Sequence, residues 1–491
     1  MKTFPQSCSA LFFFLVLTQS AATTDAATLE GFSTGGHTVY HLRCGRAEPN
    51  GKRVLMAAAL DGAVLCYTPS GDLLWKNDAG GALPLDLAAA DLDADGRDET
   101  MVASADGGLY VLDHGGKLKW QFRREPPLIQ VCPVTNTGRG TVILTGGIEK
   151  KLYALSADGE VINSVEFPYP VRHIRAGNFL GDGKKYAAVL TAKNDTSRFF
   201  LQLFDPASLK PVWEKPVGLA TTNPTEGTRF FVPWAGYRVA VFSVLPLDVN
   251  GDGSDEILLT DHFEKKGVFY AYNGRGEKVL TSSDRGIRGR PYRMNLLTRV
   301  TMPGSGDERV FGLFGNQLIV YDPAGKIERI LDASYSLACA EFDPETGTLF
   351  LGSSISGGDG VYALHLDRPD WPSAFENLKP VGRLAQVEKN QAILAEQVKR
   401  FQRPTYQRPP KPVTVITGKS AEELREQFLE GEHYENVQFV QFNLFTEKYD
   451  RSFLAAPWDT TRETRHKYTR QLHKSIDVIL TKGGETRCFP V

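Results

Sequence analysis

Short apolar strands separated by glycine-rich or acidic turns recur along most of the chain. A representative stretch, from Ala90 to Phe122, reads ADLDADGRDETMVASADGGLYVLDHGGKLKWQF. The pattern predicts an apolar strand, an acidic turn, a β-branched strand and two further strands joined by glycine turns. Four short strands per unit is the composition of one β-propeller blade.

Similar units follow one another between Leu42 and Trp371, with a spacing of about 40 to 50 residues, as four-stranded blades require. We therefore predict an all-β protein built as a seven-bladed β-propeller, with eight blades as the alternative. Blades that bury both faces against their neighbours account for the apolar alternation. The innermost strands are crowded near the channel, and we expect three small buried cysteines there, namely Cys44, Cys132 and Cys339.

The two ends of the chain do not follow this pattern. Residues 1–27 combine Lys2, an apolar run from Leu11 to Leu17 and small residues, and this predicts a signal peptide before a propeller at 28–371. Residues 372–411 contain a helical periodicity and the proline-rich stretch PTYQRPPKPV, which predicts a helix and an extended linker. Residues 412–491 alternate strand and helix patterns, and we expect a small α/β segment, either a docking domain or a fragment of a longer enzyme.

The charge and composition limit the classes of binding partner that we expect. The formal net charge is −2, so no overall field favours nucleic acid. No stretch after the signal peptide is apolar enough for an integral membrane span. We therefore expect a secreted or periplasmic protein whose partner is a glycan or an extracytoplasmic protein.

Two acidic turns carry a metal-ligand pattern, DLDADGRDE from Asp91 to Glu99 and DVNGDGSDE from Asp248 to Glu256. Oxygen side chains at positions 1, 3, 5 and 9, with glycine at position 6, are suited to wrap a calcium ion. An EF-hand needs glutamate at position 12, where these turns have Val102 and Leu259, so that alternative fails. A related turn from Asn178 has Leu180 in a ligand position, and we expect it to bind no metal.

These turns resemble those of the FG-GAP or integrin-like repeat family, in which such a loop joins the first two strands of a blade and holds Ca²⁺. The resemblance implies eight metal ligands, Asp91, Asp93, Asp95, Glu99, Asp248, Asn250, Asp252 and Glu256. The outer parts of the blades, such as GGLYVLDHGGKLKW, are similar to the PQQ-like repeat. Quinoprotein dehydrogenases of that type usually carry an adjacent cysteine pair, and this chain has none.

Two arginine clusters are candidates for binding an anion at the channel mouth opposite the acidic turns. We expect them in loops that enter a blade's first strand, where converging guanidinium groups could hold a carboxylate or sulfate. The six candidate residues are Arg172, His173, Arg175, Arg288, Arg290 and Arg293. The alternative is a solvated surface or arginines paired with carboxylates of a neighbouring blade.

The sequence favours an exported, calcium-stabilised propeller that acts as a binding module for a glycan or a protein. One alternative is a polysaccharide-active enzyme, a lyase or hydrolase, that uses the propeller as its scaffold. A lyase needs a base beside arginine or metal, and His173 between Arg172 and Arg175 is the candidate. The other alternative is a structural assembly partner.

Overall fold

The computed structural model describes most of the propeller and isolated parts of the remaining chain. The described residues are 29–49, 51–124, 127–135, 140–192, 199–217, 232–234, 237–239, 244–260, 269–282, 296–314, 316–334, 337–353, 359–379, 381, 392–393, 396, 413–415, 436–440, 477–482 and 485–490. The signal-peptide prediction for residues 1–27 therefore lies outside them. No helix among the described residues is long and apolar enough to cross a bilayer.

Seven four-stranded antiparallel sheets form the propeller, as predicted. Blades 1 to 3 are made of strands β2 to β13, with the bounds β2 Val39–Arg46, β3 Arg53–Ala59, β4 Val64–Tyr67, β5 Leu73–Asn77, β6 Pro84–Ala90, β7 Glu99–Ser104, β8 Gly108–Leu112, β9 Leu118–Arg123, β10 Leu128–Val134, β11 Val142–Gly147, β12 Lys151–Leu155 and β13 Val161–Glu166. A 3₁₀ turn at Ala79–Gly81 joins the first two blades.

Blades 4 to 6 continue this order along the chain. Their strands are β14 Val171–Gly177, β15 Tyr186–Ala192, β16 Phe199–Phe204, β17 Pro211–Val217, β20 Val244–Leu247, β21 Glu256–Thr260, β22 Phe269–Tyr272, β23 Lys278–Thr281, β24 Leu296–Thr301, β25 Glu308–Phe314, β26 Gln317–Tyr321 and β27 Ile327–Asp332. A small hairpin, β18 Val232–Trp234 with β19 Tyr237–Val239, lies between blades 4 and 5 in the chain.

The seventh blade joins the two ends of the propeller. It combines β28 Leu337–Asp343, β29 Thr348–Ser353 and β30 Gly360–His365 with β1 Glu30–Ser33, which pairs antiparallel with β30. Thr34 reinforces the junction by donating its backbone N–H to the carbonyl of Asp359 at 2.8 Å. The ring is thus closed by a strand that precedes the first blade in sequence.

The core lies between neighbouring blades. The first strand of each blade contacts the first strands of the adjacent blades, so these seven strands surround the central axis. Cys44, Cys132 and Cys339 all lie on these innermost strands, as predicted, although at different positions along them. Cys132 and Cys339 are buried as expected, whereas Cys44 is only partly buried.

Tryptophans on outer strands link one blade to the next. The indole N–H of Trp75 donates to the carbonyl of His114 at 3.0 Å, that of Trp120 to Ala157 at 2.9 Å, and that of Trp213 to Gly274 at 2.7 Å. Each acceptor belongs to the hairpin turn between the third and fourth strands of the following blade. These links fix the outer rim.

The packed unit extends beyond the predicted boundary at Trp371. A short helix, α1 Trp371–Glu376, buries Trp371, Ala374 and Phe375 against blades 6 and 7. The N–H of Val381 also donates to the hydroxyl of Tyr362 at 3.1 Å. The described residues 371–379 and Val381 therefore continue the packed unit past Trp371.

The last part of the chain contains a separate four-stranded sheet. Its strands are β31 Val413–Val415, β32 Asn436–Val440, β33 Asp477–Lys482 and β34 Glu485–Pro490, in the order β31-β34-β33-β32. β31 pairs parallel with β34, whereas the other pairings are antiparallel. The first two strands of this segment in the sequence, β31 and β32, thus lie at opposite edges of a mixed sheet. The helical stretch predicted within residues 372–411 lies mostly outside the described residues beyond α1, and the helix patterns predicted within 412–491 lie outside them.

Candidate functional site

The first acidic loop connects β6 to β7 and is held in shape by its own backbone. Gly96 donates its N–H to Asp91 Oδ2 at 2.9 Å, Arg97 donates to Asp95 Oδ1 at 2.8 Å, and Leu92 donates to Glu99 Oε2 at 2.8 Å. These bonds turn the carboxylates inward. Oxygens of Asp91, Asp93 and Glu99 lie within 4.8 Å of one another, whereas Asp95 is outside this group.

The donor set of this loop fits a hard divalent cation. Asp91 Oδ1 is buried and has no hydrogen-bond partner among the described residues. Glu99 is 1% exposed, which means that the site already holds a buried carboxylate. Ca²⁺ takes about six to eight oxygens at about 2.3–2.6 Å, so the three converging carboxylates, counted once each, would leave at least three positions for carbonyl groups, water or second carboxylate oxygens.

A lysine of the same blade already contacts this cluster. Lys119 Nζ, from β9, lies 2.6 Å from Asp93 Oδ2 and 3.0 Å from Glu99 Oε1. The hydrogen bond from Lys119 lowers the pKa of Asp93. The ammonium group therefore supplies positive charge to the loop, and a metal ion would compete with it.

The second acidic loop repeats this geometry between β20 and β21. Gly253 donates to Asp248 Oδ2 at 2.8 Å, Ser254 to Asp252 Oδ1 at 2.8 Å, and Val249 to Glu256 Oε2 at 3.0 Å. These three bonds correspond one to one with those of the first loop.

This second loop differs in having no built-in cation. Within the described part of the chain, no ammonium or guanidinium group lies within 4 Å of Asp248, Asp252 or Glu256; the nearby Arg299 pairs instead with Asp255, at 3.7 Å. Burial raises the pKa of Glu256, and the neighbouring carboxylates add to the rise. This loop thus has less positive charge beside it than the first, although the converging carboxylate group among the described residues is that of the first loop.

The third, incomplete loop retains the turn and two of the four oxygen side chains, Asn178 and Asp182. Gly183 donates to Asn178 Oδ1 at 3.1 Å and Lys184 to Asp182 Oδ1 at 3.0 Å, as in the complete loops. Position 9 is Tyr186, whose hydroxyl donates to Asp182 Oδ2 at 2.8 Å. Leu180 is 39% exposed. This geometry is consistent with the expectation that the third turn binds no metal.

The first arginine cluster lies in a strand, and the prediction of an entry loop was wrong. Arg172, His173 and Arg175 belong to β14, where Arg172 is 3% and His173 8% exposed. Burial and the two guanidinium groups lower the pKa of His173 to about 3, and burial lowers the pKa of Arg172 to about 10. The second cluster, Arg288, Arg290 and Arg293, lies outside the described residues, so its convergence with the first remains a prediction.

Arg175 instead belongs to a network of charged side chains on the innermost strands. It donates to Gln130 Oε1 at 3.0 Å and lies 3.8 Å from Asp86. Arg43 lies 3.4 Å from Asp86 and 3.4 Å from Glu341. The network thus links blades 1, 2, 3, 4 and 7 around the axis.

Asp86 is the central residue of this network and was missed by the sequence analysis. It is 1% exposed and accepts the N–H groups of Leu87 at 3.0 Å and Val131 at 3.1 Å. The only sequence signal was a charged residue in an otherwise apolar innermost strand. Two guanidinium groups thus face two carboxylates in this network, so removal of one member would leave a buried charge without its partner.

Comparison with known proteins supports this fold and relates it to one group of enzymes. Residues 54–172 match the family model of the lambda-carrageenase beta-propeller domain. The crystal structure of BBS1N in complex with ARL6DN, soaked with lead, has a TM-score of 0.51 at 11% identity and covers 70% of this chain and 98% of that chain, which shows a shared fold alone. The propeller part of the predicted resemblance is confirmed, whereas the FG-GAP or PQQ-like type of its repeats stays a prediction.

Two curated relatives match over most of the chain. The lambda-carrageenase of Pseudoalteromonas carrageenovora is 27% identical over 448 residues, covering 86% of this chain and 46% of the relative. The lambda-carrageenase of a Pseudoalteromonas species is 27% identical over 444 residues, with the same coverage. This chain is therefore similar to lambda-carrageenases along most of its length, and it spans about half the length of the relatives it matches.

Proposed function

We propose that this protein takes part in the hydrolysis of a carrageenan outside the cytoplasm, with the propeller holding the polysaccharide. The observation that carries the proposal is the extent of the match to lambda-carrageenases, 86% of the chain. The propeller strands span only Glu30 to His365, so the similarity continues into the residues that follow them. Similarity confined to repeated blades would indicate the fold alone.

The chemistry of the substrate favours hydrolysis over elimination. Carrageenans are sulfated galactans and carry no uronate carboxylate that would acidify a ring proton for a lyase. His173, the candidate lyase base, is buried, and its lowered pKa makes it a weak base. Of the two enzyme classes in the sequence-based alternative, the hydrolase is therefore better supported.

Calcium is proposed as a structural cofactor of this protein. Asp248, Asn250, Asp252 and Glu256 would hold one ion, and Asp91, Asp93, Asp95 and Glu99 a second that competes with Lys119. The ion would neutralise clustered carboxylates and join the ends of two strands in a blade. Export through the predicted signal peptide would bring the loops into calcium-rich surroundings.

Incubation of the purified protein with lambda-carrageenan tests the proposal. A hydrolase releases new reducing ends without ultraviolet absorbance from an unsaturated product, whereas a lyase produces both. The matched control is the same galactan after chemical removal of its sulfate groups. Binding without cleavage would favour the binding-module interpretation. The absence of both binding and cleavage would refute a carrageenan substrate.

A further inference from the structure

A cleft of about 680 Å³ lies on the outer rim of blade 6, away from the axial channel. Its walls are the loop between β24 and β25, the turn between β26 and β27, and β27 itself. Trp371, at the start of α1, contributes to the lining. This volume is within the range of about 300–1,000 Å³ that is typical of small-ligand sites.

The apolar part of the cleft combines buried and partly exposed side chains. It includes Met302, Pro303, Val320, Ile327 and Trp371. Trp371 is 9% exposed, and its ring lies 5.8 Å from that of Phe311. Since Val320 and Trp371 are buried, the C–H face of a sugar ring would pack mainly on the partly exposed Met302, Pro303 and Ile327.

The charged groups of the cleft leave an excess of positive charge. Arg309 pairs with Glu328 at 2.6 Å, whereas Asp322 accepts only a backbone N–H, from Lys326 at 2.8 Å, and keeps its negative charge. Three cations, Arg309, Lys326 and Arg329, thus face two carboxylates, and 3 − 2 leaves one positive charge. In contrast, Lys326 and Arg329 are exposed, and neither has a carboxylate within 4 Å among the described residues. The guanidinium of Arg329 lies 5.6 Å from the centroid of the Trp371 ring.

We propose that this cleft binds a short stretch of sulfated galactan. The sugar ring packs on the apolar lining, while Lys326 and Arg329 bind sulfate ester oxygens through charge-assisted hydrogen bonds. A neutral sugar would leave both cations unused, so the site selects sulfated chains. The inference rests on the proposed function, because it takes the substrate class from it.

The experiment compares wild type with the double variant Lys326→Ala/Arg329→Ala by affinity electrophoresis and calorimetry with sulfated and desulfated galactan oligosaccharides. Both side chains are exposed, so the variant should keep the wild-type melting temperature. Lys210→Ala is the matched control, because Lys210 occupies the corresponding hairpin turn of blade 4, where its carbonyl accepts the N–H of Asp205 as that of Lys326 accepts the N–H of Asp322.

We expect the double variant to lose about tenfold in affinity for the sulfated oligosaccharide, with Lys210→Ala unchanged and the wild-type affinity falling as salt rises. Equal affinity of wild type and double variant would overturn the binding site in this cleft while leaving the proposed carrageenan hydrolysis intact. Equal wild-type affinity for sulfated and desulfated oligosaccharides would also overturn it. If the wild type neither binds nor cleaves any sulfated galactan, the inference and the proposed function fail together.

Discussion

Replacing Asp86 with asparagine should destabilise the whole ring. Its carboxylate accepts two backbone N–H groups and faces Arg43 and Arg175 from different blades. Asparagine keeps the shape but removes the charge, and its NH₂ group must face either a backbone donor or a guanidinium. Breaking a buried charge network of this kind costs about 3–5 kcal/mol.

The corresponding change in melting temperature follows from the size of the unit. The propeller strands run from Glu30 to His365, and unfolding such a length has an entropy of roughly 0.7 kcal/mol/K. A loss of about 3 kcal/mol therefore lowers Tm by about 4 °C. Calorimetry of Asp86→Asn should show this fall, and Asp158→Asn, an exposed turn carboxylate, should show almost none.

A double-mutant cycle separates the network from a purely local effect. If Asp86 acts by neutralising Arg175, the variant Asp86→Asn/Arg175→Gln should lose less stability than the sum of the single variants. Additive losses, or a fall in Tm below 1 °C for Asp86→Asn, would refute the reasoning.

Three further predictions concern other parts of the propeller. Gly159→Ala should cost about 1–3 kcal/mol in urea unfolding, because Gly159 has φ +87° and an added Cβ would lie 2.7 Å from the Trp120 ring; wild-type stability would argue against the rim contact. Burial lowers the pKa of His41 to about 4 and of His173 to about 3, so both are neutral when folded but bind protons below pH about 6.5 when unfolded. Stability should therefore be complete above pH 6.5 and decrease toward pH 4, with a shallower decrease in His173→Asn; an unchanged pH profile in that variant would contradict the burial argument. Calcium should raise Tm relative to chelator, and Asp248→Asn should reduce that rise; a melt indifferent to calcium would exclude the metal at both loops.

The blades were predictable because their signals are local. Alternation of apolar residues, glycine turns and the spacing of the acidic loops all lie within about 45 residues of one another. The contents of the axial channel were not predictable in this way. Asp86, Arg43 and Glu341 come from three blades, and Arg43 and Glu341 are separated by 298 residues along the chain.

The wrong prediction of a loop for the first arginine cluster, Arg172, His173 and Arg175, has a related cause. The basic residues suggested an exposed loop, yet Arg175 lies on a strand. Its charge faces the Asp86 carboxylate there, and its N–H groups find an acceptor in Gln130. Nor did the sequence show that α1 completes the packing after Trp371, since a six-residue helix has little periodicity of its own. In both cases, tertiary contacts decided what local pattern could not.

The closure of blade 7 sets the order in which the protein can fold. Ser33 and Asp359, which hydrogen bond across the closing pair, are separated by 326 residues. At synthesis rates of about 5–20 residues per second, β1 waits roughly 16–65 s for its partner strand to emerge. During that time early blades can form, but the ring stays open and the last inner faces stay exposed. A variant truncated just past β1 would keep the other strands of all seven blades. It would still lack the strand that closes the ring.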